Sequence, residues 1–514
     1  MNVAEEHTVS LWMDGPSVEA PLLDHAERAD VIVIGGGIAG LSVAYEVAAR
    51  GRSVVVVDSG AIATGMTART TAHLASAFDD FYAEVIETRG LAAARILYQS
   101  LAASIDRAET IQREEGIACD FARLDGFLMQ APDTPDSRLD EERAACLQVG
   151  IPVEACDAPP LQRDIAARAL RFPRQARFHP LKYLAGLAGA IRRRGGRLYA
   201  DTRVLGVEER DGEVVVRTEP GHELRARDVV IATNVPINDR MAVHTKQAPY
   251  RTYAIAAVLP RGSLADALYW DTRDPYHYVR LQPLSEEDDA VIIGGEDHKS
   301  GEADDGARRF AGLEAWARER LPALGRITHR WSGQVMEPAD FAGFIGRNPG
   351  NRHVYLVTGD SGQGITNGIV GGLLVADLIV SGESPWSEVY DPARKITQRI
   401  GDYIKENLTP IKSFAEYLTA GEIAAAQDLT PGEGRLLRKG LKKIAACRDL
   451  DGALHLRSAS CTHMGCVVHW NSLEQCWDCP CHGSQFAPDG SVLHGPAVAP
   501  LARIEAPGRL EAAE

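Results

Sequence analysis

Between Cys461 and His482 the chain reads Cys461-Thr-His463, fifteen further residues, then Cys479-Pro-Cys481-His482, a C-x-H and a C-x-x-H motif. If these four donors share one site, two loops must meet, and the turn-rich, short-strand sequence around them suits that demand. Two thiolates can hold one iron and two imidazoles the other, giving a [2Fe–2S] cluster of higher potential than an all-cysteine one. The alternative is zinc, because Cys476 and Cys479 together with Cys461, Cys466 and His482 offer enough donors for a tetrahedral site. Of nine cysteines, only Cys119, Cys146, Cys156 and Cys447 lie outside the stretch 461–481. That clustering points to metal binding rather than to a distributed disulfide framework.

A second constraint stands near the other end. The apolar run Val31–Ile34 leads into Gly35-Gly36-Gly37-Ile38-Ala39-Gly40, which opens a predicted helix, so the glycine pattern has the strand–turn–helix context that gives it meaning. Gly35 serves the tight turn, Gly37 lets a pyrophosphate approach the backbone, and Gly40 permits close packing of helix on strand. Asp58 ends the next strand, 18 residues after Gly40, where it can accept hydrogen bonds from a ribose. This predicts dinucleotide binding.

From residue 30 to about 395, β-branched runs alternate with helical segments, the signature of an α/β unit with a parallel sheet. Stretches around 245–300 alternate instead, as an antiparallel sheet covered on one face does. The expected division is an N-terminal arm at 1–29; an FAD-binding α/β Rossmann domain at 30–85, 163–243 and 330–395; and an antiparallel substrate domain at 86–162 and 244–329. A helical linker at 396–417 then leads to a small all-β domain at 418–514. The formal charge of −16 argues against nucleic acid and against anionic membranes. The apolar stretches Val31–Tyr45 and Ile365–Val380 are too glycine-dense or interrupted for a membrane span. A cytoplasmic protein is expected, since the acidic N-terminal residues lack the pattern of a secretory signal.

Residues 30–395 resemble the D-amino-acid-oxidase-like FAD-dependent oxidoreductases, the glycine and sarcosine oxidase group. ATGMTARTTAHLAS at 63–76 is similar to the flavin-contacting segment of that family, which implies cofactor contacts by Thr64, Thr67, Arg69, Thr70, Thr71 and Ala72. Val204 falls on the adenine-side strand. VYLVTGDSGQGITNGIVGGLLVADLI at 354–379 is similar to the closing flavin motif and implies contacts by Gly359, Asp360, Gly362, Gln363, Gly364 and Thr366. Backbone N–H groups at such a helix start can stabilise negative charge on reduced flavin. No second glycine-rich unit for a nicotinamide occurs between residues 100 and 330, so the hydride source is expected to be a bound small molecule.

Residues 418–514 resemble the cytochrome bc-type Rieske domains. The resemblance implies Cys461, His463, Cys479 and His482 as cluster ligands, a disulfide between Cys466 and Cys481, and a hydrogen bond from Ser484 to a cluster sulfide. Phe486 stands where those high-potential domains place a tyrosine, which implies a lower potential. Oxygenase-type Rieske domains lack the two extra cysteines, and no facial triad for mononuclear iron is present.

On the substrate side, PYHYVR at 275–280 places Tyr276, Tyr278 and Arg280 on one strand face. Arg280 is the candidate to clamp a carboxylate through its planar fork, with an ordinary strand arginine as the alternative. Tyr253, Trp331 and Gln334 are candidates by family position. The lysine that activates oxygen in sarcosine-oxidase-like relatives aligns with Ile292, which implies a dehydrogenase rather than an oxidase. The expected activity is oxidation of a small amine or amino acid by FAD, with electrons leaving singly through the cluster to an external acceptor, a protein being one candidate. The alternative is a redox-sensing or electron-distributing protein driven by a partner, without small-molecule turnover.

Overall fold

The computed structural model describes residues 7–162, 168–219, 221–238, 243–396, 409, 412–423, 425–440 and 442–505. Val31, Ile32, Val33 and Ile34 are all buried because their strand, Glu27–Ile34, is covered on both faces: Val31 and Val33 enter one core, Ile32 and Ile34 another. It pairs in parallel with Val54–Val57 and with Glu223–Ile231. The sheet extends in parallel to Arg197–Tyr199 and Val354–Thr358, and antiparallel strands at its margins bring the total to eight.

The helices Ile38–Ala49 and Gly364–Val380 pack side by side on this sheet. A Cβ at Gly368 would stand 2.8 Å from Ile38 Cγ2, and one at Gly372 would stand 2.7 Å from Ser42 Cβ. Glycine in the second helix is thus what lets the two backbones approach, and it accounts for the apolar run 365–380. Among the described residues no helix is long and apolar enough to cross a membrane.

A second, nine-stranded sheet follows the order Ile327–Pro338, Gln247–Pro260, Asp288–Lys299, His277–Pro283, Leu268–Asp271, Ala122–Met129, Ala169–Arg177 and His73–Leu74, with Glu154–Cys156 paired off this path. The helix Gly306–Arg320 covers its outer face through Phe310, Leu313 and Trp316. Three segments expected in the first unit, Ala169–Arg177, His73–Leu74 and most of Ile327–Pro338, lie in this second sheet. Ala169–Arg177 is drawn there by antiparallel pairing along Ala122–Met129, a long-range contact that no local pattern carries.

The C-terminal residues form two small antiparallel sheets, one of three and one of four short strands. Of the helical linker expected at 396–417, residues 397–408 and 410–411 lie outside the described residues, and 412–416 are helical. The arm is described from His7 onward, and it packs: Trp12 is fully buried, its indole N–H donates to Thr70 O at 2.5 Å, and Ser10 Oγ donates to Ala68 O at 2.5 Å.

Candidate active site and cluster site

One continuous cavity runs from the first glycine loop to the second sheet. At its nucleotide end Gly35 adopts φ +110°, and a Cβ there would lie 2.2 Å from Ala232 O. Gly37 faces the cavity, with Thr67 Oγ1 the nearest atom to a built Cβ at 3.1 Å. Gly40 does not line it; its Cβ would stand 1.8 Å from Gly35 O, so it serves the turn-to-helix packing. Asp58 lines the cavity and is fixed there by Gly36 N at 2.6 Å and Gly60 N at 3.0 Å. Bare glycine backbone, a helix N-terminus and an acid fit a dinucleotide.

Further along, Thr67, Arg69, Thr70, Thr71, Gly359, Asp360, Gly362, Gln363 and Gly364 line the walls, and Val204 lines the nucleotide end. Thr64, Ala72 and Thr366 do not. Thr64 donates to Ala61 O, Thr366 donates to Gln363 O, and Ala72 gives its carbonyl to Arg280. Ala232, Thr233 and Asn234, which sequence reasoning did not single out, line the cavity after the parallel strand Glu223–Ile231, at the carboxyl end where such sheets bind ligands.

At the far end the structure separates the substrate-side candidates. Tyr278 and Trp331 line the cavity. Tyr253 is 2% exposed and points to the opposite face, packed against Phe310 and His298; its neighbours Thr252 and Ala254 line the cavity instead. Arg280 is no carboxylate clamp. It is fully buried, and its guanidinium donates to Ala72 O at 2.7 Å, Phe178 O at 3.0 Å and Gln282 Oε1 at 2.6 Å. Ile292 is fully buried in the same core as Tyr278 and Trp331, paired across its sheet with Ala256 and Arg280.

Tyr276, placed by its strand pattern on one face with Tyr278, joins it in the lining, and four residues that the sequence did not single out, His73, Asp79, Trp270 and Asp297, complete this end. Tyr276 Oη donates to Asp79 Oδ2 at 3.1 Å, and Thr252 Oγ1 and Tyr278 Oη share a 2.6 Å hydrogen bond. Asp360 also lines the wall, and Asp80 and Glu337 lie close by. Burial, reinforced by the Asp80 charge, pushes Asp79 up to about 7 and raises Glu337 well above its ordinary range. Burial likewise pushes Asp297 and Asp360 up to about 6.

In the C-terminal domain the two motif loops converge. The Cys461 and Cys479 thiols are in hydrogen-bonding contact, and the His463 and His482 rings lie 4.9 Å apart between centroids. Cys466 and Cys481 are joined by a disulfide, which removes two thiols from any zinc set. Ser484 contacts Cys461, and Phe486 is fully buried in the same apolar cluster. Two thiols and two imidazoles brought together between buried loops fit a [2Fe–2S] cluster.

The histidine side of this site docks on the flavin unit. His244, from a short 3-10 turn, His244–Lys246, that precedes the strand Gln247–Pro260, stands 4.8 Å from the His463 ring and 5.5 Å from that of His482. Gln334, on the cavity wall, donates to Gly483 O at 3.0 Å and accepts from Asn234 Nδ2 at 3.2 Å. Leu493, Gly495, Ala497 and Val498 are themselves part of the cavity lining. Deeper in the interface Glu474 is fully buried and accepts from Thr8 N at 3.0 Å and Ser332 Oγ at 2.5 Å, with Arg69 Nη1 at 3.5 Å and Arg251 Nη1 at 3.8 Å. Burial opposes its ionisation, yet Arg69 and Arg251 hold its carboxyl below the usual range.

Residues 30–378 match the FAD dependent oxidoreductase family, and residues 420–505 match the Rieske [2Fe-2S] domain. The chain belongs to the FAD dependent oxidoreductases and carries a Rieske domain, and its cofactors are FAD and a [2Fe–2S] cluster. It is 29% identical over 508 residues to YhfW of Bacillus subtilis (strain 168), covering 98% of each chain. Against gamma-glutamylputrescine oxidoreductase of Escherichia coli (strain K12) it is 27% identical over 388 residues, 73% of this chain and 89% of that one. The fold is shared with the crystal structure of glycine oxidase from Geobacillus kaustophilus at TM-score 0.60 and 21% identity, over 72% of this chain and 99% of the other.

Proposed function

We propose that the protein oxidises the CH–NH bond of a small amine or amino acid and passes the electrons one at a time to an external acceptor, a protein being one candidate. FAD supplies a two-electron acceptor for hydride, and the cluster supplies a one-electron exit. Gly35, Gly37 and Asp58 hold the dinucleotide, the segment Thr67–Thr71 and the loop Gly359–Gly364 hold the flavin, and Cys461, His463, Cys479 and His482 hold the cluster. Tyr278 and Trp331 shape the substrate end, where positioning and desolvation carry most of the work.

The observation that carries this reading is Gln334. One side chain lines the cavity and hydrogen-bonds Gly483, the residue after His482, so substrate cavity and cluster loop share a wall. The Escherichia coli relative, named for an amine conjugate, supports the substrate class. Exit through the cluster rather than to oxygen is supported by Ile292, and no lysine occurs among the cavity's described lining residues. The test is anaerobic. Amines and N-methyl amino acids are added, loss of oxidised-flavin absorbance is followed, and the EPR signal of the reduced cluster is then sought. Bleaching without that signal overturns the relay, and in a separate assay in air rapid peroxide formation at substrate saturation overturns the dehydrogenase assignment.

A further inference from the structure

The far end of the cavity brings two carboxyl groups together with aromatic and hydroxyl side chains. Asp79 and Asp297 line it together with Tyr276 and Tyr278, and two acceptor oxygens are left over. Asp297 Oδ1 and Gln363 Oε1 are buried atoms with no hydrogen-bond partner among the described residues, and Gln363 as a whole is 6% exposed. The Gln363 amide nitrogen is committed to Ala77 O at 2.5 Å, which fixes the orientation of the side chain and leaves its oxygen as the acceptor. Buried acceptors left in this state cost free energy until a donor arrives.

The cationic side chains of the cavity lining are Arg69 and Arg203. Arg69 is committed to Thr8, Ser332 O and Glu474, and Arg203 lies at the nucleotide end, donating to Val492 O at 2.9 Å. With Arg280 turned to backbone carbonyls, no further arginine or lysine among the described lining residues faces a substrate carboxylate at this end, and Asp79 and Asp297 would repel one. Trp270, Tyr276 and Tyr278 offer aromatic surface of the kind that favours a cation.

The two acids are placed differently. Asp79 Oδ2 lies 2.7 Å from where a Gly362 Cβ would stand, so this acid abuts the loop read above as flavin-binding. Asp297 sits beside Thr252, whose hydroxyl shares a hydrogen bond with Tyr278. Resting on the amine-oxidising reading above, we propose that the substrate is a diamine or polyamine without a carboxylate: Asp79 takes the proton from the ammonium to be oxidised, and Asp297 holds a second, distal ammonium. The step balances. R–CH₂–NH₃⁺ gives one proton to the Asp79 carboxylate, its carbon gives a hydride with both C–H electrons to FAD, and the product R–CH=NH₂⁺ is hydrolysed by water to an aldehyde and ammonium.

The experiment uses the holoenzyme and anaerobic stopped-flow bleaching with 1,3-diaminopropane, 1,4-diaminobutane, 1,5-diaminopentane, n-butylamine and N-methylglycine. The expected result is that the best diamine exceeds n-butylamine at least tenfold in bleaching rate over dissociation constant, and that N-methylglycine is slower than either. Asp297→Asn collapses the diamine-to-monoamine ratio through the dissociation constant rather than the limiting rate, and Asp297→Glu, which keeps the charge, restores most of it. Preference for N-methylglycine, or an unchanged ratio in a folded Asp297→Asn protein, overturns the diamine assignment and leaves amine oxidation standing. Failure of every compound to bleach the flavin overturns both.

Discussion

Two buried polar clusters flank the same cavity, and their charge balance differs. At the interdomain cluster Glu474 and Asp478 meet Arg69 and Arg251, with Thr8, Ser332 and Asn471 filling the remaining hydrogen-bond positions. At the substrate cluster Asp79, Asp297, Glu337 and Asp360 gather, and burial outweighs the Arg309 and His277 charges that reach Asp297. In the first, the carboxyl of Glu474 is held low; in the second, carboxyls are pushed up. A balanced cluster has its partners inside the fold and acts as a staple between flavin unit and Rieske domain. An unbalanced one carries a cost that a cationic ligand relieves.

The comparison breaks most visibly at its balanced side. Glu474→Gln leaves Arg69 and Arg251 buried against a neutral amide, and the expected loss is about 3 to 5 kcal/mol, read by chemical denaturation of the holoenzyme. A loss below about 1 kcal/mol would mean that the interface is not held by this pair. The unbalanced side should respond in the opposite sense. The folded state binds a proton at Asp79 more tightly than the unfolded chain does, so its ionisation costs stability progressively as pH rises from about 4 through about 7. Burial sets that shift, the charges of Asp80 and Asp297 add to it, and hydrogen bonds from Tyr276 and Gln363 oppose it. Asp79→Asn is therefore expected to stabilise the protein by roughly 1 to 2 kcal/mol at pH 8 and to leave it nearly unchanged at pH 4, as thermal melts at the two values would show. For Glu474 the sign is reversed, its contribution being present above the unfolded carboxyl range and lost as pH falls through the lower folded value.

These two clusters also differ in how far the sequence exposes them. The glycine loop Gly35–Gly40 and the four cluster donors are legible because their chemistry depends on spacing within a short stretch, where backbone geometry leaves few alternatives. The acids of the substrate end come from separate places, Asp79 from the chain before a long helix and Asp297 from a strand of the second sheet, and only tertiary pairing brings them together. His244 at the cluster is hidden for the same reason. Tyr253 shows a finer limit. Alternation along Gln247–Pro260 is interrupted by a bulge between Arg251 and Tyr253 against the strand Asp288–Lys299, and a one-residue shift sends a side chain to the other face. Arg280 sits where its strand pattern places it, but Ala72 at φ +59° turns its carbonyl toward the guanidinium and claims the arginine for the backbone.

The smallest effect tests the strand that joins the two clusters. Along Ile327–Pro338, Ser332 donates to Glu474 in the balanced cluster and Glu337 belongs to the unbalanced one, with Gln334 between them reaching Gly483. Gln334→Leu keeps the side-chain bulk and deletes one hydrogen bond at each end, so the expected stability cost is only about 0.5 to 1.5 kcal/mol. If Gln334 forms the shared wall through which cavity and cluster communicate, the same variant slows cluster reduction after flavin bleaching by several-fold while bleaching itself proceeds at close to its normal rate. Equal slowing of both steps would place Gln334 with the substrate cluster, and slowing of neither would leave the path to the cluster to Leu493 and the residues that follow it.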